Sequence, residues 1–235
     1  GIIGAVGNNG TGTIGVCQKA SIMAVRVLDD TGSGTTATAM QGVNFAVTNG
    51  ARVINMSLVS TGSFDAALSD AITHAQESDV VVIVAAGNTG SAGTNNDLAG
   101  NATYPCNFTQ ANLICVAALD QNYALANFSN WGTTSVDVGA PGTNILSTWA
   151  GAALNNAGYD TRSGTSMAAP EVAGLATMLR AFNPQYRFID TVNAIKNGGR
   201  AVPALAAKTT TGKAVDVMSS LAYINPPTGL RATLQ

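Results

Sequence analysis

Short apolar runs rich in β-branched residues alternate along this chain with longer stretches in which apolar positions recur every three or four residues. Ser21 to Leu28, Val53 to Leu58 and Val80 to Ala86 show the first pattern; Thr35 to Thr48 and Phe64 to Gln76 show the second. Such alternation predicts strand–helix–strand units and a parallel sheet. Val80-Val81-Val82-Ile83-Val84 has no polar alternation, as expected of a strand covered on both faces, and is placed at the sheet centre. After a Gly/Asn/Thr-rich loop, further strands are predicted at Leu113 to Ala118 and Val136 to Val138. A helix is predicted from near Ser166 to about Ala181, because Val172, Leu175, Ala176 and Leu179 share one face, and Asn183-Pro184 stops it.

Gly1-Ile2-Ile3-Gly4-Ala5-Val6 reads as the interior of a packed helix, so the chain is expected to be a piece of a longer protein. The character changes again at Asn225-Pro226-Pro227-Thr228-Gly229-Leu230, where paired prolines break the helical pattern. The expected organisation is one main domain over residues 1–225 and a linker over 226–235.

Composition narrows the partners. The 235 residues are 46% hydrophobic and only 10% charged, enough for one α/β domain with a sizeable core. Eleven Lys plus Arg against 13 Asp plus Glu leave a net charge of −2 and no basic tract, which argues against nucleic acid as a partner. The longest apolar stretch, Val80 to Ala86, is far short of the roughly 18 residues of a membrane helix, so a soluble protein without a membrane partner is expected, and it is read as a monomer. Cys106 and Cys115 stand close enough to bridge across a surface loop, though spacing alone leaves the pairing open. Cys17 is then a buried thiol or the partner of a cysteine outside the chain. Asn-x-Ser/Thr triplets at Asn9, Asn101, Asn107 and Asn127 suit a secreted, extracellular protein.

The candidate chemistry lies in two segments. Ser166, preceded by Ser163-Gly164-Thr165, sits where a helix starts, and helix N-termini favour negative charge. Alone, such a serine reads as an N-cap. Ala85-Ala86-Gly87-Asn88 closes the central strand, at the sheet end where open α/β folds place ligands. Asn88 alone reads as a turn residue; together with Ser166 N–H its amide would make a two-donor site for an oxyanion.

Gly164-Thr165-Ser166-Met167-Ala168-Ala169-Pro170, followed by Val172-Ala173-Gly174, resembles the nucleophile signature of the subtilisin-like serine proteases, the subtilases. Val53-Ile54-Asn55-Met56-Ser57-Leu58 resembles their substrate-binding strand, Ala85-Ala86-Gly87-Asn88 their oxyanion segment, and Val138-Gly139-Ala140-Pro141-Gly142 another landmark of the family. The resemblance runs in order from Gly1 to about Asn225 and implies a partial three-layer αβα domain around a central parallel sheet.

By that resemblance Ser166 is the nucleophile of a serine endopeptidase and Asn88 the oxyanion donor. Ser33-Gly34 and Ser57-Leu58 would pair with an extended polypeptide substrate. Leu58 and Val59 would line one side of the first specificity pocket, and Ala85, Ala86 and Gly87 the other. Val59 and Ser60 stand where the family carries two glycines, which predicts a reshaped pocket. Glu171 stands where the family carries a histidine that is not its base, so only a packing or local charge effect is expected. Asn9, Thr11 and Thr13 fall in the loop that supplies oxygen ligands to a structural calcium in many subtilases; the chemistry itself requires no cofactor.

The catalytic aspartate and histidine of the family lie upstream of the nucleophile and have no match in this chain. His74, the single histidine, sits among Ala71, Ile72, Ala75 and Gln76 on a predicted surface helix and is read as structural. Asp29-Asp30 is read as a solvated acidic turn. Without an imidazole Ser166 is a weak nucleophile, so the chain by itself is expected to be inactive. The alternative is a pseudoprotease that binds peptides without hydrolysing them. Pro226-Pro227-Thr228-Gly229-Leu230 resembles the opening of a fibronectin type III-like domain.

Overall fold

A computed structural model describes residues 1–150 and 158–224. Its centre is a six-stranded sheet. Four parallel neighbours form its middle: β1 (Val53–Met56), β3 (Val81–Ala85), β5 (Leu113–Leu119) and β6 (Val138–Pro141). β10 (Lys213–Ala214) extends this parallel set beside β6, and β9 (Arg200–Ala201) closes the edge antiparallel to β10. Two short ribbons flank the sheet: β2 (Ser60–Thr61) with β4 (Thr103–Tyr104), and β7 (Ile145–Thr148) with β8 (Tyr159–Arg162).

Every residue of β3 and β5 is buried, because helices cover both faces of the sheet. Val81, Ile83 and Ala85 point into one core with α3 (Thr165–Phe182) and α4 (Phe188–Gly198). The alternate residues Val82 and Val84 point into a second core with α1 (Thr36–Thr48) and α2 (Ala66–Glu77). This is the three-layer α/β arrangement, and strand alternation sorts one apolar run between the two faces. Among the described residues, no helix is long and apolar enough to cross a membrane.

Buried polar ties fix the layers. Arg180, 4% exposed at the end of α3, donates from Nη2 to Asp79 Oδ2 at 2.7 Å, and Asp79 Oδ1 accepts from the Phe188 amide that opens α4. One carboxylate thus joins the turn before β3 to two helices.

Three expectations change. Ser21 to Leu28 forms no strand. Val25 and Val27 pack on Gly42 of α1, but an apolar groove of about 1050 Å³, lined by Val25, Val27, Val53 and Ile54 among others, separates the segment from β1. With no neighbour in hydrogen-bonding reach, an extended stretch has no ladder to join. Gly1 to Val6 is a single turn followed by irregular chain, not a helix. It pairs instead with residues 15–17, through Val16 N to Ile2 O at 3.0 Å and Cys17 N to Ile3 O at 2.8 Å. A side chain at Gly15 would collide with the Ala5 amide at 2.4 Å, so only glycine permits this approach. Cys106 and Cys115 are bridged, but at 1% and 0% exposure the disulfide is part of the core rather than of the surface. Cys17 is a partly buried free thiol. The linker and the fibronectin-like opening expected over residues 226–235 lie outside the described residues.

Candidate active site

α3 starts from Gly164, which has no side chain to cap it, so the first amides of the helix take partners from elsewhere. Asn88, just past the end of β3, supplies one. Its Oδ1 accepts from Thr165 N at 2.9 Å and from Thr165 Oγ1 at 3.0 Å. A backbone N–H can only donate, so the oxygen of the carboxamide faces Thr165 and Nδ2 turns the other way. The buried Thr165 hydroxyl also accepts from Gly87 N at 3.2 Å, which ties the strand end to the helix start on both sides of Asn88.

The result is an opening flanked by donors. Measured from the place a Cβ on Gly164 would occupy, Asn88 Nδ2 lies at 3.5 Å and Ser166 N at 3.7 Å. Ser166 N is one of the first-turn amides that no carbonyl of the helix can reach. Two N–H groups and the positive end of α3 therefore border one space at the start of the helix that carries Ser166. That arrangement suits an oxygen gaining negative charge.

Ser166 is also held from the β1 side. Its Oγ donates to Ser57 O at 3.1 Å, and Ser57 Oγ donates to Ser166 O at 2.9 Å. Asn55 Nδ2 orients the Ser57 hydroxyl from 3.0 Å. A cleft of about 520 Å³, lined by residues that include Ile2, Ser57, Trp149, Asp160, Ser166 and Met167, opens next to the serine. Among the described residues, no imidazole, amine or carboxylate hydrogen-bonds Ser166 Oγ. Asp160, within the cleft, is paired with Arg162 at 2.5 Å. His74 lies on α2, on the other face of the sheet, with Nδ1 at 3.1 Å from Asn44 Oδ1, consistent with a structural role.

The remaining predicted residues are distributed as follows. Leu58 packs against the α1/α2 core and Val59 is exposed at the start of the β2 ribbon. Ala85, Ala86 and Gly87 are buried, and Asn88 is the exposed member of that stretch. Ser33 and Gly34 lie on an exposed loop before α1 and make no hydrogen bond to Ser57, Leu58 or Ser166. Asp29 organises that loop by accepting from Ser33 N at 3.0 Å and from Thr31; the Thr31 hydroxyl and the Ser33 amide hold its carboxyl below the ordinary range. Glu171 is partly buried on α3, and burial pushes its carboxyl up to about 7.

The Asn9 loop offers oxygen atoms of the right kind for a hard cation. Asn9 Oδ1 accepts from Thr11 N at 3.1 Å, and Thr13 Oγ1 is buried with no hydrogen-bond partner. All are neutral donors, and no group of three or more His, Cys, Asp or Glu gathers among the described residues. The loop therefore fits part of a calcium shell, which takes six to eight oxygens, and not a whole one.

Sequence reading missed Thr165 as the residue that fixes the Asn88 flip, and Asn96 and Asn130, which are buried behind the Gly87–Thr89 turn. Polar residues in irregular segments carry no periodicity to announce them.

The family model described as the subtilase family (peptidase S8) matches residues 1–210. Thermitase of Thermoactinomyces vulgaris is 43% identical over 179 residues, covering 76% of this chain and 58% of that protein. Subtilisin Savinase of Lederbergia lenta is 39% identical over 190 residues, covering 81% and 64%. A thermostable alkaline protease of Halalkalibacterium halodurans is 40% identical over 179 residues, covering 76% and 45%. The chain thus spans about half the length of the curated relatives it matches. Among solved structures, a protease of Pseudoalteromonas arctica superposes with a TM-score of 0.80 at 31% identity, covering 95% of this chain and 69% of that one. A cold-adapted subtilisin-like serine proteinase gives 0.70 at 31% identity, covering 85% and 70%.

Proposed function

Because this chain belongs to the subtilase family, we propose that it is the part of a secreted serine endopeptidase that carries the nucleophile and the oxyanion donor, with polypeptides as substrates. One observation carries this reading: Asn88 Nδ2 and Ser166 N border the same opening beside Ser166. Ser166 Oγ attacks the scissile carbonyl carbon and gives its proton to a base. The carbonyl oxygen, now negative, sits between the two N–H donors. Expulsion of the amine, protonated by the same base, leaves an acyl ester on Ser166, which water then hydrolyses. Removal of one such donor lowers kcat by about 10²- to 10³-fold, a figure established on subtilisin itself.

The imidazole and its carboxylate partner belong, in this proposal, to sequence upstream of residue 1. Two features support that assignment. The cleft beside Ser166 leaves room for a base, and the apolar groove along β1 leaves room for another strand. Among the described residues Ser166 Oγ bonds only to a carbonyl, and in this reading the chain alone has little or no hydrolytic activity. Substrate backbone runs along Ser57-Leu58, opposite Ser33-Gly34. Leu58 and Val59 on one side, and Ala85, Ala86 and Gly87 on the other, shape the first specificity pocket.

A fluorophosphonate probe on the full-length protein tests the assignment. Labelling that disappears in Ser166→Ala is the expected result. An intact, folded full-length protein that stays unlabelled while binding peptide supports the pseudoprotease instead.

No cofactor enters the chemistry. The Asn9, Thr11 and Thr13 loop is proposed as part of a structural calcium site, with Thr13 Oγ1 as the orphaned donor that fits it. Millimolar calcium should then raise the Tm of the full-length protein, and Asn9→Ala should abolish the rise. An equal rise in Asn9→Ala would exclude the loop.

A further inference from the structure

Asn88 can serve as a donor only if its backbone holds still, and the hydrogen bonds on either side of it converge on one residue. Asn130 N donates to Gly87 O at 2.9 Å, and Asn130 Oδ1 accepts from Thr89 N at 2.9 Å. Asn130 thus grips the residue before Asn88 and the residue after it. The same Oδ1 accepts from Thr94 N at 3.1 Å, so the far end of the loop is gathered to the same point.

Asn130 is fixed in turn. It is 0% exposed, and its Nδ2 donates to Oδ1 of Asn96, itself 1% exposed, at 3.0 Å. Asn96 Nδ2 donates to Ala86 O at 2.9 Å, and Thr103 Oγ1 donates to the same carbonyl at 3.1 Å. The circuit from Ala86 through Asn96 and Asn130 to Thr89 is closed, and none of the polar side-chain atoms of either asparagine is left unpaired. Asn130 also fills the space a side chain on Gly87 would need: a Cβ there would lie 2.7 Å from Asn130 Nδ2, at a residue whose φ is +107°. Buried, fully paired amides of this kind have one orientation, because any other leaves a donor or acceptor without a partner.

We infer that Asn130 is a positioning residue for the oxyanion donor: with its backbone N–H on Gly87 O, its carboxamide, bonded to Thr89, Thr94 and Asn96, sets where Asn88 Nδ2 stands relative to Ser166 N. It touches neither substrate nor the reacting atoms. The inference rests on the proposed role of Asn88, and it separates Asn130 from a residue that only stabilises the fold. A merely structural asparagine would, when lost, lower the melting temperature and leave the chemical step of the folded enzyme alone. A positioning residue lowers kcat with KM nearly unchanged, because it acts on an interaction made in the transition state. Its effect must also vanish once Asn88 has no amide to place.

The test is a double-mutant cycle in the full-length protease, with kcat and KM measured on a peptide anilide well below each variant's melting temperature. Asn130→Ala should lower kcat about tenfold to a hundredfold with KM within twofold of the parent. Asn88→Ala should lower kcat further, and Asn88→Ala/Asn130→Ala should match Asn88→Ala within about twofold. Asn130→Ser, which keeps an acceptor in the pocket at lower cost to the fold, should fall between parent and Asn130→Ala. Asn112→Ala is the control: Asn112 is equally buried, with Nδ2 donating to Val80 O at 2.8 Å at the other end of β3, so its loss should lower the melting temperature and spare kcat. If Asn88→Ala lowers kcat but Asn130→Ala and Asn130→Ser behave like Asn112→Ala, the positioning role is wrong and the oxyanion assignment stands. Multiplicative losses in the double variant overturn it as well. If Asn88→Ala leaves kcat unchanged, both fall together.

Discussion

Ser57 and Ser166 exchange a pair of hydrogen bonds across the gap between β1 and α3, each hydroxyl donating to the other residue's backbone carbonyl, at 2.9 and 3.1 Å. The cause lies in a third residue. Pro170 stands four positions after Ser166 and has no N–H, so the Ser166 carbonyl has no helical donor and accepts from Ser57 Oγ instead. Pro170 thereby ties Ser166, the proposed nucleophile, to the segment proposed to carry the substrate.

Ser57→Ala should lower the stability of the chain by about 1 kcal/mol, because Ser166 O is left without a donor. In a Pro170→Ala background, where residue 170 regains its amide, the same substitution should cost at least about 0.5 kcal/mol less. Urea unfolding of the four variants measures the difference. Equal costs in both backgrounds would show that Pro170 does not govern the contact.

Glu171 gives the chain a pH dependence of unusual sign for a carboxyl. Burial holds its proton to about pH 7, against an ordinary value of 4.5. Between these values the unfolded chain releases the proton while the folded chain retains it. Stability therefore falls as pH rises from about 4.5 to about 7 and then levels off, by at most about 3 kcal/mol. Glu171→Gln should remove that fall, and urea midpoints at pH 5 and pH 8 report it. A parent chain whose midpoint does not drop relative to Glu171→Gln across that range would show that the carboxyl ionises normally.

The Cys106–Cys115 bridge joins β5 to the turn after β4, across a sequence separation of nine, and both sulfurs lie in the core. Opening it should cost about 2–3 kcal/mol, the chain-entropy value for so short a loop. The Cys106→Ala/Cys115→Ala variant should unfold at correspondingly lower urea, with Cys17 unaffected. An unchanged midpoint would mean that the core absorbs the loss.

Val59 is 40% exposed and lies between β1 and the β2 ribbon, and the resemblance to subtilases places it at the edge of the proposed specificity pocket. In the full-length protease, Val59→Gly should raise kcat/KM roughly tenfold for substrates with a bulky residue before the cut and leave small residues nearly unaffected. Equal ratios in both forms would remove Val59 from the pocket edge.

Legibility followed pattern strength. The Val81–Ala85 strand and the α3 helix were readable because uninterrupted burial and a three-to-four spacing survive in any context. Ser21 to Leu28 has the same β-branched look, but a strand is a property of two segments and its partner position is an open groove. The β7 and β8 ribbon was missed because Ile145 and Leu146 in β7 and Tyr159 in β8 are its apolar residues, too few and without alternation to signal a strand, and α4 because only Phe188, Val192 and Ile195 mark its face. In the site, Ser166 and Asn88 stood out through short motifs. Thr165, Asn96 and Asn130 did not, since a buried hydrogen-bonded asparagine looks in sequence like any turn residue. Glu171 was legible as a departure from its family but not as a buried acid, which depends on what packs over α3.

The central claim is geometric, and a crystal structure of the full-length protein with a peptidyl phosphonate bound to Ser166 tests it most directly. The account predicts one phosphonyl oxygen within about 3 Å of both Asn88 Nδ2 and Ser166 N. An adduct whose oxygen points away from Asn88, or a carboxamide turned from the opening while the adduct is in place, would contradict it.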